Sequence, residues 1–168
     1  MANKLKKKTV SKAEGVPLKT EKEAKLDIRQ IARDERTWKI VGALSLLVSL
    51  LLFTSFISYF FTWKEDQDKV LQGASILFED NITVSNLLGR LGALTAHFFI
   101  FKGFGVASLL ICTFFFILGV NLLFERKVWS LWRNLRYVTI GMLVLSVSLA
   151  FVTAGTDFPF GGGTGRMI

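Results

Sequence analysis

Cysteine and histidine are almost absent from this sequence, since each occurs once, as Cys112 and His97. A single cysteine excludes an intrachain disulfide and a cysteine-based metal site, and we expect Cys112, in an apolar stretch, to be a packing residue. One histidine without an acidic partner at metal-ligand spacing does not indicate a metal site, and we expect His97 to face head groups or water. No nucleophile, base or metal constellation is visible, so the sequence predicts no enzyme, no catalytic or metal-ligating residue and no cofactor.

Charged residues are missing from three long stretches, residues 40–63, 103–124 and 137–156. At about 1.5 Å rise per residue, the first makes roughly 36 Å of helix, which crosses a hydrocarbon core of about 30 Å with some tilt. A hydrophobic share of 51% and a mean hydropathy of +0.45 agree with this interpretation. We therefore predict an all-α integral membrane protein with three transmembrane helices, at 38–63, 103–124 and 137–156.

A cleavable signal peptide is excluded as the explanation of the first apolar stretch. Its apolar region would be about 7–15 residues long and would end in a small-x-small cleavage site. Here the stretch has 24 residues and ends in Phe60-Phe61-Thr62-Trp63. We interpret it as an uncleaved signal anchor. Trp38, Tyr59 and Trp63 match the aromatic residues that collect at bilayer interfaces.

The distribution of basic residues predicts the topology. The first 39 residues carry twelve Lys and Arg against six Asp and Glu, residues 64–90 carry three against five, and residues 125–136 carry four against one. Because cytoplasmic segments are enriched in Lys and Arg, we predict a cytoplasmic basic leader at 1–37, largely disordered, and a cytoplasmic basic loop at 125–136. An external loop at 64–84 and an external glycine-rich tail at 157–168 complete the alternation.

The net charge of +8 has a simpler explanation than nucleic-acid binding. The basic residues flank the apolar stretches, where lipid head groups and membrane topology account for them. We therefore expect the lipid bilayer to be the partner of these residues, and we expect no direct binding of nucleic acid by this chain.

Residues 85–102 are the ambiguous part of the chain. Large apolar residues recur four and three positions apart, on one helix face, namely Leu87, Leu91, Leu94, Phe98 and Phe101. Small residues that allow close helix packing form a second face, namely Gly89, Ala93 and Ala96. Only eleven uncharged residues, about 16 Å of helix, separate Arg90 from Lys102. We predict an interfacial or re-entrant helix at 85–102 that meets the next span at Gly103-Phe104-Gly105; the sequence leaves open whether it spans, dips into or lies on the membrane.

Four glycines lie between residues 161 and 165. A phosphate-binding loop needs a preceding strand, a Lys-Ser or Lys-Thr pair and a following helix, and the sequence indicates none of them. Nucleotide binding is therefore not expected, and the glycines predict a tight turn before another membrane helix. We interpret Asp157 and Arg166 as connector charges that do not form a site.

Several segments follow one another in an order that is typical of one family. They are the basic leader, Ser-Tyr-Phe-Phe-Thr-Trp-Lys at 58–64, Asn-Leu-Leu-Gly-Arg-Leu-Gly-Ala at 86–93, Phe-Lys-Gly-Phe-Gly at 101–105 and Phe-Ile-Leu-Gly-Val-Asn-Leu-Leu at 116–123. The basic turn, the third span and a Gly-Gly-Gly turn follow. Together these segments resemble the N-terminal membrane domain of the FtsK/SpoIIIE family of DNA translocases. The resemblance covers about residues 38–168, and the glycine and aromatic spacing is its most specific part.

The resemblance implies a membrane anchor that places an ATP-driven, hexameric DNA pump at the division septum and links chromosome segregation to cell division. It also implies a multi-pass protein of the bacterial cytoplasmic membrane, a cytoplasmic N-terminus, a homo-oligomer, and contacts with other division membrane proteins. The family has four spans, a P-loop motor and a DNA-reading module, whereas this sequence shows three spans and no motor. By this resemblance the chain is an N-terminal fragment, a truncated product or part of a split gene.

Two other functions stay open from the sequence. A stand-alone membrane scaffold or assembly factor would use the leader and residues 64–102 as docking surfaces. A transporter subunit would need polar residues that face each other inside the membrane, whereas hydroxyl groups in such helices usually bond within the bundle. The polar residues of the predicted spans are Ser45, Ser49, Thr54, Ser55, Ser58, Thr113, Asn121, Thr139, Ser146, Ser148 and Thr153.

Overall fold

The structure is a computed structural model that describes residues 34–167, and every regular element in that range is helical. The predicted disorder of the leader concerns residues outside this range, apart from 34–37. The elements are α1 (Glu35–Val70), a 3₁₀ turn (Gly73–Leu77), α2 (Gly89–Ala96), a π-helical segment (His97–Phe104), a second 3₁₀ turn (Gly105–Ser108), α3 (Leu109–Leu123), α4 (Leu131–Val152) and α5 (Gly162–Met167).

Three helical stretches are long and apolar enough to cross a membrane by length and composition, namely Glu35–Val70, Gly89–Leu123 and Leu131–Val152. In their most apolar windows only 28%, 28% and 11% of the residues are buried inside the protein. Most apolar side chains of these helices therefore face outward. The apolar surface that they form is far larger than the apolar patches on soluble monomers. These helices confirm the predicted all-α fold with three helices suited to span a membrane.

The first helix, α1, continues seven residues beyond the predicted end of the first span. Its start is capped by Asp34, whose side chain accepts a hydrogen bond of 2.9 Å from the Arg36 N–H. Its charged last turns contain an Asp66–Lys69 pair, with 3.8 Å between a carboxylate oxygen and Nζ, a spacing that stabilises a helix. The helix therefore continues past residue 63, where the uncharged stretch ends, and includes the charged residues up to Val70.

The second apolar stretch changes direction at Gly103 and Gly105. Gly103 has φ −91° and ψ −122°, and Gly105 has φ 65° and ψ −140°. Both pairs of angles lie outside helical backbone, and the positive φ of Gly105 is a conformation that glycine adopts without steric cost. The break coincides with the predicted meeting point of the re-entrant helix and the second span.

The segment before this break crosses α1 and does not run beside it. Near its start the Leu87 N–H donates a hydrogen bond to the Ser58 hydroxyl, and near its end the Phe99 ring packs against Phe56, with 5.9 Å between ring centroids. Residues 87–99 would extend about 18 Å along a helix axis, yet both ends meet α1 at positions only two residues apart. A helix in this orientation is transverse to the span, as expected for an interfacial or re-entrant element.

The third helix, α3, runs antiparallel to α1 at close range. Ser49 Oγ donates a hydrogen bond of 2.8 Å to the carbonyl oxygen of Cys112, which is buried as the predicted packing residue. Towards the start of α1, a Cβ atom on Gly42 would lie only 2.7 Å from Leu123 N, and Gly119 meets α1 equally closely. The two glycines therefore permit a backbone approach that larger residues would prevent.

Charged residues gather at two ends of the helical bundle. At one end Lys39 Nζ lies 2.8 Å from Glu125 Oε1, which joins the start of α1 to the end of α3. At the other end Lys64 Nζ lies 3.0 Å from Asp157 Oδ2. We call the first the basic end (residues 34–39 and 124–136) and the second the loop end (residues 64–102 and 153–167). That the basic end faces the cytoplasm stays a prediction.

Candidate functional site: a polar junction at the loop end

A buried carboxylate holds the loop end together. Asp66 is fully buried, and its two oxygens accept hydrogen bonds from the N–H groups of Ser85, at 2.7 Å, and Asn86, at 3.0 Å. Lys69 Nζ, 3.8 Å away, supplies a nearby positive charge. A protein interior tolerates a carboxylate that is hydrogen-bonded and paired in this way. Asp66 thus fixes the end of the connector between α1 and α2 (residues 71–88) onto α1.

Two serines of α1 form further hydrogen bonds to the same segment. We call this set of hydrogen bonds the polar junction. Ser58 Oγ accepts a hydrogen bond of 2.9 Å from the Leu87 N–H. Ser55 Oγ donates one of 2.7 Å to the Gly92 carbonyl, and the Ser55 carbonyl accepts one of 3.1 Å from Asn86 Nδ2. The polar groups of both segments therefore satisfy one another inside the protein, as buried polar groups must.

Five consecutive N–H groups, those of residues 85–89, all have acceptors. Asp66 accepts two of them and Ser58 accepts one. Asn86 accepts the other two, through Oδ1 from Leu88 at 3.0 Å and through its carbonyl from Gly89 at 2.8 Å. The N–H groups at the start of a helix have no acceptor within that helix. Asn86 accepts those of Leu88 and Gly89, and α1 accepts the three N–H groups that precede them. This arrangement fixes α2 in position.

His97 lies inside the protein beneath this junction. It is 2% exposed, its Nδ1 lies 3.0 Å from the Tyr59 hydroxyl, and its ring stacks on Phe101 with centroids 4.8 Å apart. The prediction that His97 faces head groups or water is therefore wrong, because Tyr59 supplies a polar partner within the apolar core. Tyr59 is itself fully buried, so its assignment to an interfacial aromatic belt is also wrong.

The two predicted faces of α2 point in opposite directions. Ala93 and Ala96 are fully buried, and Ala96 packs in a core cluster with Phe56 and Ile100. The large apolar residues Leu87, Leu91 and Phe98 are 76%, 66% and 64% exposed. The small face thus allows close contact with α1. On the large face these three residues point outward, whereas Leu94 and Phe101 pack against the core.

The second part of the polar junction is a close contact between two backbone segments, the break before α3 and the glycine-rich tail. The Val106 N–H donates a hydrogen bond of 2.9 Å to the Phe160 carbonyl, and Gly105 and Gly162 have φ values of 65° and 66°. A Cβ atom on Gly105 would lie 2.6 Å from Gly162 N, and one on Gly162 would lie 2.6 Å from Ile100 O. The glycine-rich tail therefore turns against the break before α3, and α5 follows that turn.

Hydroxyl groups within the long helices bond to backbone carbonyls. Thr113 and Thr139 each donate to a carbonyl three or four residues earlier in their own helix, and Thr153, just after α4, donates to the Leu149 carbonyl. Ser146 donates a hydrogen bond of 2.5 Å to the Gly161 carbonyl, which ties α4 to the glycine-rich tail. These bonds match the packing interpretation of the polar residues and do not outline a polar path through the bundle.

The junction has the chemistry of a structural clamp. Within residues 34–167 no group of three or more His, Cys, Asp or Glu is placed to hold a metal ion. Asp157 pairs with Lys64 at the surface, and the Arg166 guanidinium lies 5.7 Å from the Phe101 ring centroid. The arrangement can therefore hold α2, the connector and the tail in one fixed geometry.

Sequence reasoning missed Asp66 as a member of this junction. A signal was present, because positions 55, 59 and 66 fall four and seven residues apart and so lie on one face of α1. That face was not recognised as polar, since the predicted span ends before Asp66 and the connector contains other acidic residues. The partner N–H groups lie about twenty residues away and leave no local pattern.

Comparison with known proteins identifies a related family. A family model described as the 4TM region of DNA translocase FtsK/SpoIIIE matches residues 34–168. No curated protein and no solved structure matches the chain. The matched range contains every helix described above and both halves of the polar junction.

Proposed function

We propose, from the premise that this chain belongs to the family of 4TM regions of the DNA translocases FtsK/SpoIIIE, that it is the membrane anchor of such a translocase. The observation that carries this proposal is the extent of the match, since residues 34–168 include all three helices suited to span a membrane. The described residues supply a helical bundle with its charges at the two ends, which is the form that an anchor requires.

The polar junction suits a membrane anchor because it resists mechanical displacement of the helices. An anchor must keep its helices in register while a motor works against DNA, and a junction with hydrogen bonds to backbone groups resists displacement better than apolar contact alone. Asp66 and Ser58 on α1 both bond to the segment just before α2, and Ser146 on α4 bonds to the glycine-rich tail. Hydrogen bonds from both α1 and α4 therefore hold the connecting segments at the loop end.

We further propose where the protein lies in the cell and how it assembles. We place the protein in a bacterial cytoplasmic membrane, concentrated at the division septum, with the basic end towards the cytoplasm, where it couples chromosome segregation to cell division. A homo-oligomer, a hexamer by analogy with the family, and contacts with division membrane proteins follow from the same proposal. The outward apolar faces of the three long helices are large enough to serve such contacts as well as lipid.

Imaging of dividing bacterial cells tests this proposal. The full chain carries a fluorescent protein at its N-terminus, and we expect fluorescence in the membrane fraction with enrichment at the septum. The control is an unrelated multi-pass protein with the same label, because two membranes meet at a septum and raise any membrane signal there. An enrichment equal to that of the control would contradict septal recruitment, and fluorescence in the soluble fraction would contradict the anchor.

A further inference from the structure

A cavity of about 760 Å³ opens at the basic end between the first turn of α1, the end of α3 and the start of α4. Its walls combine three tryptophans with three basic side chains. The tryptophans are Trp38, Trp129 and Trp132, and the basic residues are Arg126, Lys127 and Arg133. Neither the family assignment nor the anchoring function gives this cavity a role.

The loop that forms one wall of the cavity has a fixed backbone. Asn121, on the last turn of α3, is 9% exposed; its Nδ2 donates a hydrogen bond of 2.7 Å to the Trp129 carbonyl, and its Oδ1 accepts one of 2.9 Å from the Val128 N–H. Glu125 has a left-handed backbone, with φ 53°, that turns the chain out of α3. A ligand that binds here meets a loop already in place, which reduces the entropic cost of binding.

The electrostatic balance of the cavity favours an anion. Its acidic residues are Glu35 and Glu125, and Glu125 is paired with Lys39 at 2.8 Å. Of the three ion pairs between residues 34 and 167, this is the one at the basic end. Glu35, the other carboxylate of the cavity, forms no ion pair with residues 34–167. The three basic side chains therefore outweigh it and create a positive local potential.

We propose that this cavity binds the head group of an anionic phospholipid. It lies where the uncharged stretches of α1, α3 and α4 stop, which is the depth of the head groups for helices that span a bilayer. Tryptophan rings prefer that depth because one side is apolar and the N–H is polar. Lys and Arg beside the ends of membrane helices attract anionic lipids.

The shape of the site favours lipid over nucleic acid. The phosphates of duplex DNA form an extended track with one charge per about 1.7 Å of axis, which proteins meet with an extended basic surface. Here the basic side chains surround one cavity, and its other walls include the apolar residues Leu122, Val128 and Leu131. Such walls suit the glycerol and upper acyl chains that follow a lipid phosphate.

Fluorescence quenching by brominated lipid tests the proposal. The full chain, with Trp63→Phe to remove the tryptophan at the loop end, is reconstituted in phosphatidylcholine vesicles and titrated with brominated phosphatidylglycerol or brominated phosphatidylcholine. We expect phosphatidylglycerol to quench the remaining tryptophans at a lower mole fraction. Since each basic residue near a membrane surface contributes a severalfold preference for anionic lipid, R126Q/K127Q should lose about tenfold of that preference.

A matched variant removes the same charge from the other end. Lys102 and Arg166 are exposed at the loop end, so K102Q/R166Q should leave the preference unchanged. Both leaflets of the vesicle have the same composition, so the orientation of the protein does not affect the comparison. Equal quenching by the two lipids, or the same loss in both double variants, would overturn the proposal. Displacement of phosphatidylglycerol by an added DNA duplex would overturn it in favour of a nucleic-acid site.

Discussion

Replacement of Asp66 with alanine should destabilise the protein by about 3 kcal/mol or more, because hydrogen bonds to a charged group contribute about 1.5–3 kcal/mol each. Its carboxylate accepts from Ser85 and Asn86 and is fully buried. For a chain of this size, the loss corresponds to a fall in the thermal midpoint of roughly 6–12 °C. The midpoint is measured from the helical circular dichroism signal of the protein in detergent micelles.

Two further variants separate the hydrogen bonds from the general effect of removing a carboxylate. D66N retains one acceptor oxygen, so we expect about half of the loss seen in D66A. D68A changes an exposed residue two positions along the same helix and should shift stability by less than about 0.5 kcal/mol. Hydrogen exchange at residues 85–88 should accelerate in D66A. If D66A and D68A behaved alike, Asp66 would not be the residue that holds the connector.

Replacement of Gly105 with alanine should cost about 3–5 kcal/mol, because two separate penalties add. Gly105 has φ 65° and ψ −140°, a region that other residues rarely occupy, and a new Cβ atom would overlap the backbone of Phe160. The tail should therefore separate from the break before α3. Exchange of the Val106 N–H, which bonds to Phe160, reports this separation directly.

Gly89 provides the matched control for this substitution. Its φ of 62° is close to that of Gly105, but no heavy atom lies within 4 Å of the position that its Cβ would take. G89A should therefore cost only about 1–2 kcal/mol, the penalty for a left-handed backbone, and the Val106 N–H should stay protected. An equal loss of stability in both variants would mean that the backbone crossing at Phe160 does not hold the tail.

The helices were predictable because bilayer thickness imposes a length on uncharged segments. Helix α1 contains the whole stretch 40–63, α3 contains residues 109–123 of the second stretch and α4 contains residues 137–152 of the third, since an uncharged run of this length has few alternatives to a membrane helix. The break at Gly103-Phe104-Gly105 was predictable for a related reason. Closely spaced glycines beside a lysine interrupt both the helical propensity and the apolar surface.

The surroundings of Tyr59 and His97 could not be predicted from the sequence. An aromatic residue near the end of a span usually lies at the interface, and only the fold shows that His97, 38 positions away, meets the Tyr59 hydroxyl. His97 is the first residue of the π-helical segment that follows α2. Partners so distant along the chain become visible only when α2 is known to cross α1.

The polar junction could not be predicted from the sequence either, for a different reason. The acceptors on α1 and the N–H groups before α2 are ordinary serine, aspartate and backbone groups, and their meaning depends on their distance in space. Asn121 shows the same limit at the basic end, because it resembles a polar packing residue in the sequence and proves to hold the Val128–Trp129 backbone. Local patterns predict which segments cross a membrane, whereas contacts between connectors depend on the assembled fold.

The central claim, a three-helix anchor whose basic end is cytoplasmic, is tested most directly by the accessibility of single cysteines. Cys112 is replaced by alanine, and a cysteine is introduced at Thr83 or Ser130, which are exposed at the loop end and the basic end. In bacterial spheroplasts treated with a membrane-impermeant maleimide, we predict labelling of T83C, and labelling of S130C only after permeabilisation. Labelling of S130C in intact spheroplasts, with T83C protected, would contradict the account.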